Sequence, residues 1–389
     1  MTRTAASTSG SEFGRIVLDA NATTRPFPEV IEVVAHHLRN SYANPGSRHA
    51  EGRQARRVLE SSREKIASLL GADPSEVVFT SGGTEASNLA IFGFTQSIPA
   101  TIAATAGEHP ATMESCRVLV QRGWTLQTLD VDRDGRLLVE QFDRLDWQRL
   151  KLVNVILAHN ETGVIQDLAP LAARCRDRGV PLHVDGVQAI GKLPVDFHQL
   201  GATTLSLGAH KFHGPRGIGA LLVRDDAHLV PSVFGGHQEA GRRPGTESVA
   251  LIAGMARALE LCHQDMTARL AQLASLRNAL EDGLRAACES VVVNGSTAHR
   301  LANTLNVSFP GADGEALLVA LDLEGIACSL GSTCASGSAE PAPALVAMQC
   351  PPEVYRSAVR FTVSADNTPG EITEAVRRIS RVVKRLREE

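Results

Sequence analysis

The chain has 389 residues, 43% of them apolar, and a formal net charge of −4. That length suits a large domain plus a small one. The charge balance, with no long run of Lys and Arg, excludes the basic stripe of a nucleic-acid-binding protein. No stretch of about 18 consecutive apolar residues is present, so no membrane span is expected.

The first fourteen residues are rich in Ser, Thr and Ala without an apolar centre, and read as a flexible start (1–14) rather than a secretory signal. From there to about residue 260, short apolar runs alternate with amphipathic stretches. Helices are predicted at Val30–Leu38, Gln54–Leu70, Glu85–Phe94 and Leu168–Arg178, the last ended by Gly179. Buried strands are predicted at Val77–Thr80, Lys151–Ala158, Pro181–Asp185 and Ile218–Val223. This is an α/β pattern with a mainly parallel sheet, expected over residues 15–260. After Val249 a long amphipathic stretch runs to Ala287 with a weak break near Asp265. Strand-like runs at Val291–Val293, Thr304–Ser308, Ala327–Ser329 and Val359–Val363 follow, then a terminal helix whose Arg377–Arg387 charges read as a solvated face. Residues 261–389 are therefore expected to form a smaller α+β domain. The cysteines at 116, 175, 262, 288, 328, 334 and 350 make no Cys-x-x-Cys pair, and their odd number suits reduced thiols in a cytoplasmic protein.

The most informative stretch is Ser206-Leu-Gly-Ala-His210-Lys211, an apolar run that ends in a lysine just before a glycine-rich loop. A lysine disfavoured as a cation by burial can form a Schiff base with an aldehyde. Asp185, closing the Leu182–Asp185 run, can hold a pyridinium N–H there or merely cap a helix, and Gln188 can donate to a ring hydroxyl. The pair Lys211 and Asp185 points to pyridoxal phosphate. Thr80-Ser-Gly-Gly-Thr84-Glu85 places free N–H groups and the Thr84 hydroxyl at a helix start, either as a phosphate cradle or as an ordinary cap. His109 can stack on a ring and shuttle protons, or be structural. Asn160 follows a buried strand and can bond a ring oxygen or a substrate carboxylate. Arg360, inside an apolar strand, needs a carboxylate from a substrate or from the protein. Cys334 lies among small polar residues that keep a thiol accessible, whereas Cys328 reads as strand core.

Together these motifs resemble the cysteine desulfurases of the class V aminotransferase group. The resemblance runs from about Val17 to Lys384. It includes Leu18-Asp-Ala-Asn-Ala-Thr-Thr24, Asn44-Pro-Gly-Ser-Arg-His49-Ala-Glu-Gly-Arg53, Asn160-Glu-Thr-Gly163, Gly235-Gly-His-Gln-Glu-Ala-Gly-Arg-Arg243-Pro-Gly-Thr246, the Cys334 loop with Glu340-Pro341, and Val359-Arg360-Phe361. It implies the fold-type I architecture of pyridoxal-phosphate enzymes, with a seven-stranded sheet, in a homodimer. Lys211 would carry the Schiff base, and Asp185 and Gln188 would contact the ring nitrogen and hydroxyl, with His109 stacked on the ring. Gly83, Thr84 and His210 would hold the phosphate, with Thr246 reaching it from a second subunit. Asn160 and Arg360 would bind the carboxylate of L-cysteine, and Cys334 would take its sulfur as a persulfide, leaving alanine. The sulfur would pass to an acceptor protein, for instance an iron–sulfur scaffold. Same-fold alternatives are a selenocysteine or sulfinate lyase, and a different one is a catalytically silent scaffold that partners a sulfur carrier. Three positions depart from the family pattern: Gly208 where a phosphate-binding serine is usual, His237 where a glycine is usual, and Leu330 in place of a serine.

Overall fold

The computed structural model describes residues 14–96, 98–330 and 342–388. The start before residue 14 and the loop carrying Cys334 lie outside the described residues. The strands are β1 (Ile16–Val17), β2 (Val77–Thr80), β3 (Thr101–Thr105), β4 (Thr125–Leu129), β5 (Leu150–Ile156), β6 (Leu182–Asp185), β7 (Thr204–Gly208), β8 (Gly219–Val223), β9 (Val292–Val293), β10 (Thr304–Ser308), β11 (Ile326–Ala327) and β12 (Ala358–Thr362).

Seven of these form one sheet in the order β2-β8-β7-β6-β5-β3-β4. Its neighbours pair in parallel except where β8 runs against β2 and β7. The continuous apolar runs follow from helices on both faces. Side chains alternate across a strand, so Val77 and Phe79 enter one core with the helices Ala50–Leu70 and Val249–Gln264. Val78 and Leu221 face the opposite way, under the helix Gly83–Phe94, and Ile102 and Leu152 pack with Cys116 and Leu119 of the helix Pro110–Gln121.

A second core lies between the antiparallel sheet β12-β10-β9 and the helices Met266–Ala287 and Pro369–Glu388. Leu280, Leu305, Phe309, Phe361 and Ile379 are fully buried in it. The start of the chain joins this second core: β1 pairs with β11, and Ile16 and Leu18 are buried among its residues. The predicted helices and strands are present with ends shifted by a few residues. The amphipathic stretch after Val249 divides at Asp265 into two helices. The terminal helix departs from a simple solvated face: Arg378 is buried and donates to the carbonyls of Gly14 and Glu324 and to Glu374. A guanidinium on a long stem can tie three chain segments at once, which a charge pattern does not reveal. Among the described residues no helix is long and apolar enough to cross a membrane.

Leu280→Ala should lower the unfolding free energy by about 2–5 kcal/mol, because the second core cannot collapse onto the cavity. Leu38→Ala, at a site 64% exposed, should stay within about 0.5 kcal/mol. Urea denaturation of the two variants checks both.

Candidate active site

Five strand ends converge on one crevice. β2, β3, β5, β6 and β7 run parallel, and the segments leaving their carboxyl ends carry Gly83 and Thr84, His109, Asn160, Asp185, and His210 with Lys211. That is where an open α/β sheet exposes free backbone groups and helix N-termini to a ligand.

After β2 the helix Gly83–Phe94 opens with Gly83, where an added Cβ would meet Val187 Cγ2 at 2.4 Å. Only glycine fits this approach of the helix start to the β6 turn. Thr84 is exposed at the same helix start. Gly208 ends β7 opposite, and a Cβ there would lie 3.4 Å from the Gly83 nitrogen, in ordinary contact. The serine that Gly208 replaces would therefore point into the same cradle. The His210 imidazole is hydrogen-bonded to Thr23 Oγ1 (3.2 Å), and burial pushes its pKa down to about 4. The cradle is braced from the 235–246 segment. Glu239, at φ 50°, binds the Arg63 guanidinium through both oxygens at 2.8 Å and accepts the Phe79 N–H, while Arg243 pairs with Glu85 at 2.7 Å. Thr246, at the end of this segment, is exposed, as is the departing residue His237.

Lys211 donates to the carbonyls of Asn21 (2.7 Å) and Ala22 (2.9 Å). Burial pushes its amine down to about 8, helped by the Arg360 charge and opposed by Asp185 and Asp19. Asp185 is buried with one oxygen accepting the Val187 N–H at 2.9 Å. Gln188 is buried and donates to the Asn21 carbonyl at 2.9 Å. His109 caps the helix Pro110–Gln121 by accepting the Ala111 N–H on Nδ1 at 3.1 Å, so the ring proton sits on Nε2. Burial lowers its pKa as well, with Asp185 opposing and Lys211 adding to the shift.

The fifth strand end joins Asn160 to β12. Arg360 donates to the Asn160 carbonyl at 3.0 Å and pairs with Asp19 at 2.8 Å. The protein thus supplies the carboxylate that a guanidinium in an apolar strand requires. Arg360 Nε and Asn160 Oδ1 are among the buried side-chain atoms left without a partner in the described residues, as is Glu108 Oε2. His159 donates Nε2–H to the Gly107 carbonyl (2.6 Å), accepts the Glu161 N–H, and is pushed down to about 4 by burial. Glu108 and Glu161 are both raised to about 8 by burial, Glu108 also by the Asp185 charge.

Sequence reasoning passed over Asp19, Asn21, Lys192, Glu108 and Glu161 as site residues. Asp19 and Asn21 stand in the quoted Leu18–Thr24 motif and Glu161 beside Asn160, so position in a motif was the available signal. Lys192 carried none beyond its spacing, four residues after Gln188.

Residues 16–374 match the aminotransferase class-V family. A cysteine desulfurase of Trichormus azollae is 39% identical over 374 residues, spanning 96% of this chain and 94% of its own length. The cysteine desulfurase NifS of Azotobacter vinelandii is 38% identical, over 96% of this chain and 93% of its own. A solved structure of a NifS-like protein superposes with a TM-score of 0.89 at 32% identity, covering 96% of this chain and 100% of that one.

The buried carboxyls set a pH dependence. Folded Glu108 and Glu161 keep their protons up to about 8, whereas the unfolded groups release them near 4.5. Their stabilisation is complete below about 4.5 and is lost as pH rises through 8. Lys211 works in the next window: the folded amine deprotonates near 8 and the unfolded one near 10.5, so its contribution rises with pH across that range. Glu161→Gln should flatten the fall in unfolding free energy between about 4.5 and 8, read by denaturation at stepped pH.

Proposed function

The chain belongs to the aminotransferase class-V family, and from that membership and the site's geometry we infer that it is a pyridoxal-phosphate-dependent cysteine desulfurase. Its substrate is L-cysteine and its carbon product L-alanine. The sulfur passes through a persulfide on Cys334 to an acceptor protein. The observation that carries this reading is the state of Lys211. It is a largely buried amine brought down to about 8, at the carboxyl end of a parallel sheet and within the field of Asp185.

The residues fit pyridoxal phosphate on structural grounds. Gly83 keeps the helix start open to an anion, since any side chain there collides with Val187. An unpaired acceptor, Asn160 Oδ1, and an unpaired donor, Arg360 Nε, are buried in the same region. A buried aspartate with one oxygen already bonded to Val187 N–H suits a pyridinium N–H on the other. When bound, the cofactor supplies an electron sink for the α-carbon of an amino acid.

The chain's own residues then divide the work. Gly83, Thr84 and His210 hold the phosphate, and Thr246 of a second subunit completes the pocket in a homodimer. The exposure of Thr246 and of the nearby Val233 (49%) and Phe234 (84%) supports that arrangement. Gln188 bonds the ring hydroxyl, and His109 covers the ring with its Nε2–H free to exchange a proton. Arg360 and Asn160 bind the substrate carboxylate, Arg360 through Nε and through a donor now shared with Asp19. The amine of Lys211 takes and returns the α-proton near neutral pH. The Cys334 thiolate attacks the substrate sulfur, forming the S–S bond of the persulfide as the substrate Cβ–S bond breaks and its electron pair stays with the carbon skeleton that becomes alanine. Leu330, just before that loop, packs on the second core, and its Cδ2 would touch a side chain placed at Gly314. The departure at Leu330 thus gives the loop an apolar root. The sulfur acceptor is a protein, for instance an iron–sulfur scaffold.

Lys211→Ala should lose the visible absorbance that the bound cofactor gives the wild type, and a variant retaining that absorbance would sink the assignment. Cys334→Ser should bind cofactor normally yet lose at least about 100-fold in alanine formed from cysteine. Gly208→Ser should retain the cofactor about tenfold more tightly, through one added hydrogen bond to the phosphate, read by equilibrium dialysis.

A further inference from the structure

Lys192 is buried at the end of the turn that follows β6, four residues after Gln188. Its Nζ donates to Gln188 Oε1 at 2.5 Å and to Asn21 Oδ1 at 2.9 Å. An N–H of the lysine head donates here, so the Gln188 atom facing it is the carbonyl oxygen. The other side of the same amide is settled separately. Gln188 Nε2 meets the backbone carbonyl of Asn21, which can only accept, at 2.9 Å. An amide whose two ends are otherwise nearly interchangeable is thereby locked in one orientation. Nε2 has two hydrogens and this contact uses one, so the second is presented to an acceptor in the crevice.

Asn21 is fixed as firmly as the amide it holds. Its Nδ2 donates to the Asn160 carbonyl and to Thr304 Oγ1, its Oδ1 also accepts from Asn303 Nδ2, and its N–H donates to Thr362 Oγ1. The charged and titratable groups that act on Lys192 are Lys211, Arg360, Arg269 and Cys262, and it acts in turn on His210 and His213. Three of these, Lys211, Arg360 and Arg269, are basic, so the field there disfavours a charge on Lys192, and its hold on Gln188 is a hydrogen bond that a neutral amine also makes. Burial and these neighbours push its pKa well below the usual lysine range.

We propose that Lys192 is a positioning residue that holds the Gln188 amide with its N–H toward the ring hydroxyl of the cofactor. It acts through Gln188 and touches neither cofactor nor substrate. This rests on the reading of the site as a pyridoxal-phosphate site. A donor held on the ring oxygen makes that oxygen a weaker partner for the adjacent nitrogen, so it lowers the pH at which the bound cofactor's visible absorbance titrates.

The test is a pH titration of that absorbance in the holoenzyme, with cofactor affinity measured alongside, for wild type, Lys192→Met, Gln188→Ala and the double variant. Lys192→Met should raise the midpoint by about one pH unit. Gln188→Ala should raise it similarly, and the double variant should shift no further than the larger single change. Lys192→Gln, measured in parallel in case the methionine variant does not fold, should move the midpoint the same way by less. A wild-type midpoint in the Lys192 variants, or shifts that add fully in the double variant, overturns the proposal while leaving the cofactor assignment standing. A wild type without Lys211-dependent absorbance overturns both.

Discussion

The site depends on the saturation of one buried side chain. Asn21 is 1% exposed and every polar group it has is bonded, with partners from both cores. Thr304, Asn303 and Thr362 belong to the second core's strands and turns, and Asn160, Gln188, Lys192 and Lys211 to the large sheet's carboxyl edge. A buried polar network is costly when any member is left unpaired and rigid when all are satisfied. Here the rigidity is placed beneath Lys211. The short segment that carries Asn21 leaves β1, pairs with β12 through Asp19 and Thr362, and crosses under the site, so the chain start is a structural part of the crevice.

Electrostatically the crevice is built to avoid fixed charge except where charge is paired. His109, His159 and His210 are held neutral by burial, Glu108 and Glu161 are held protonated, and Lys211 stands near the point of losing its proton. Arg360 is balanced by Asp19. The same burial therefore pushes acids and bases in opposite directions toward neutrality. That condition lets an incoming anion dominate the local field and leaves an amine available as a nucleophile and base.

The price in backbone strain is met at the rim. Glu239 and Ala240 both sit at positive φ, where side chains crowd the backbone, and the bidentate contact between Glu239 and Arg63 holds them there. A buried pair of this kind contributes little net stability but is costly to break on one side. Its effect is positional: it fixes the segment that pairs Arg243 with Glu85 and ends at Thr246.

How much of this was legible in sequence depended on range. Several buried strands and flanking helices read directly, because apolar runs such as Val77–Thr80 and Leu182–Asp185 carry their own periodicity, but the small-residue strand β3 and the helix Pro110–Gln121 were not predicted. Lys211, Asp185 and the Gly83–Thr84 turn were legible because each stands at a strand-to-loop boundary with a telling neighbour. The half-exposed edge strand β4, Thr-Leu-Gln-Thr-Leu, has no such pattern. Sequence alone determined the α/β frame, since apolar runs and helical spacing carry it locally. Only the tertiary structure decided that Arg360 is held by Asp19, that Arg378 is buried, that the chain start packs with the second core, and that Lys192 grips Gln188. The Arg360–Asp19 and Arg378–Gly14 contacts join residues more than 300 positions apart and leave no periodicity to read. The Lys192–Gln188 contact, though only four residues apart, depends on the tertiary fold that buries both side chains.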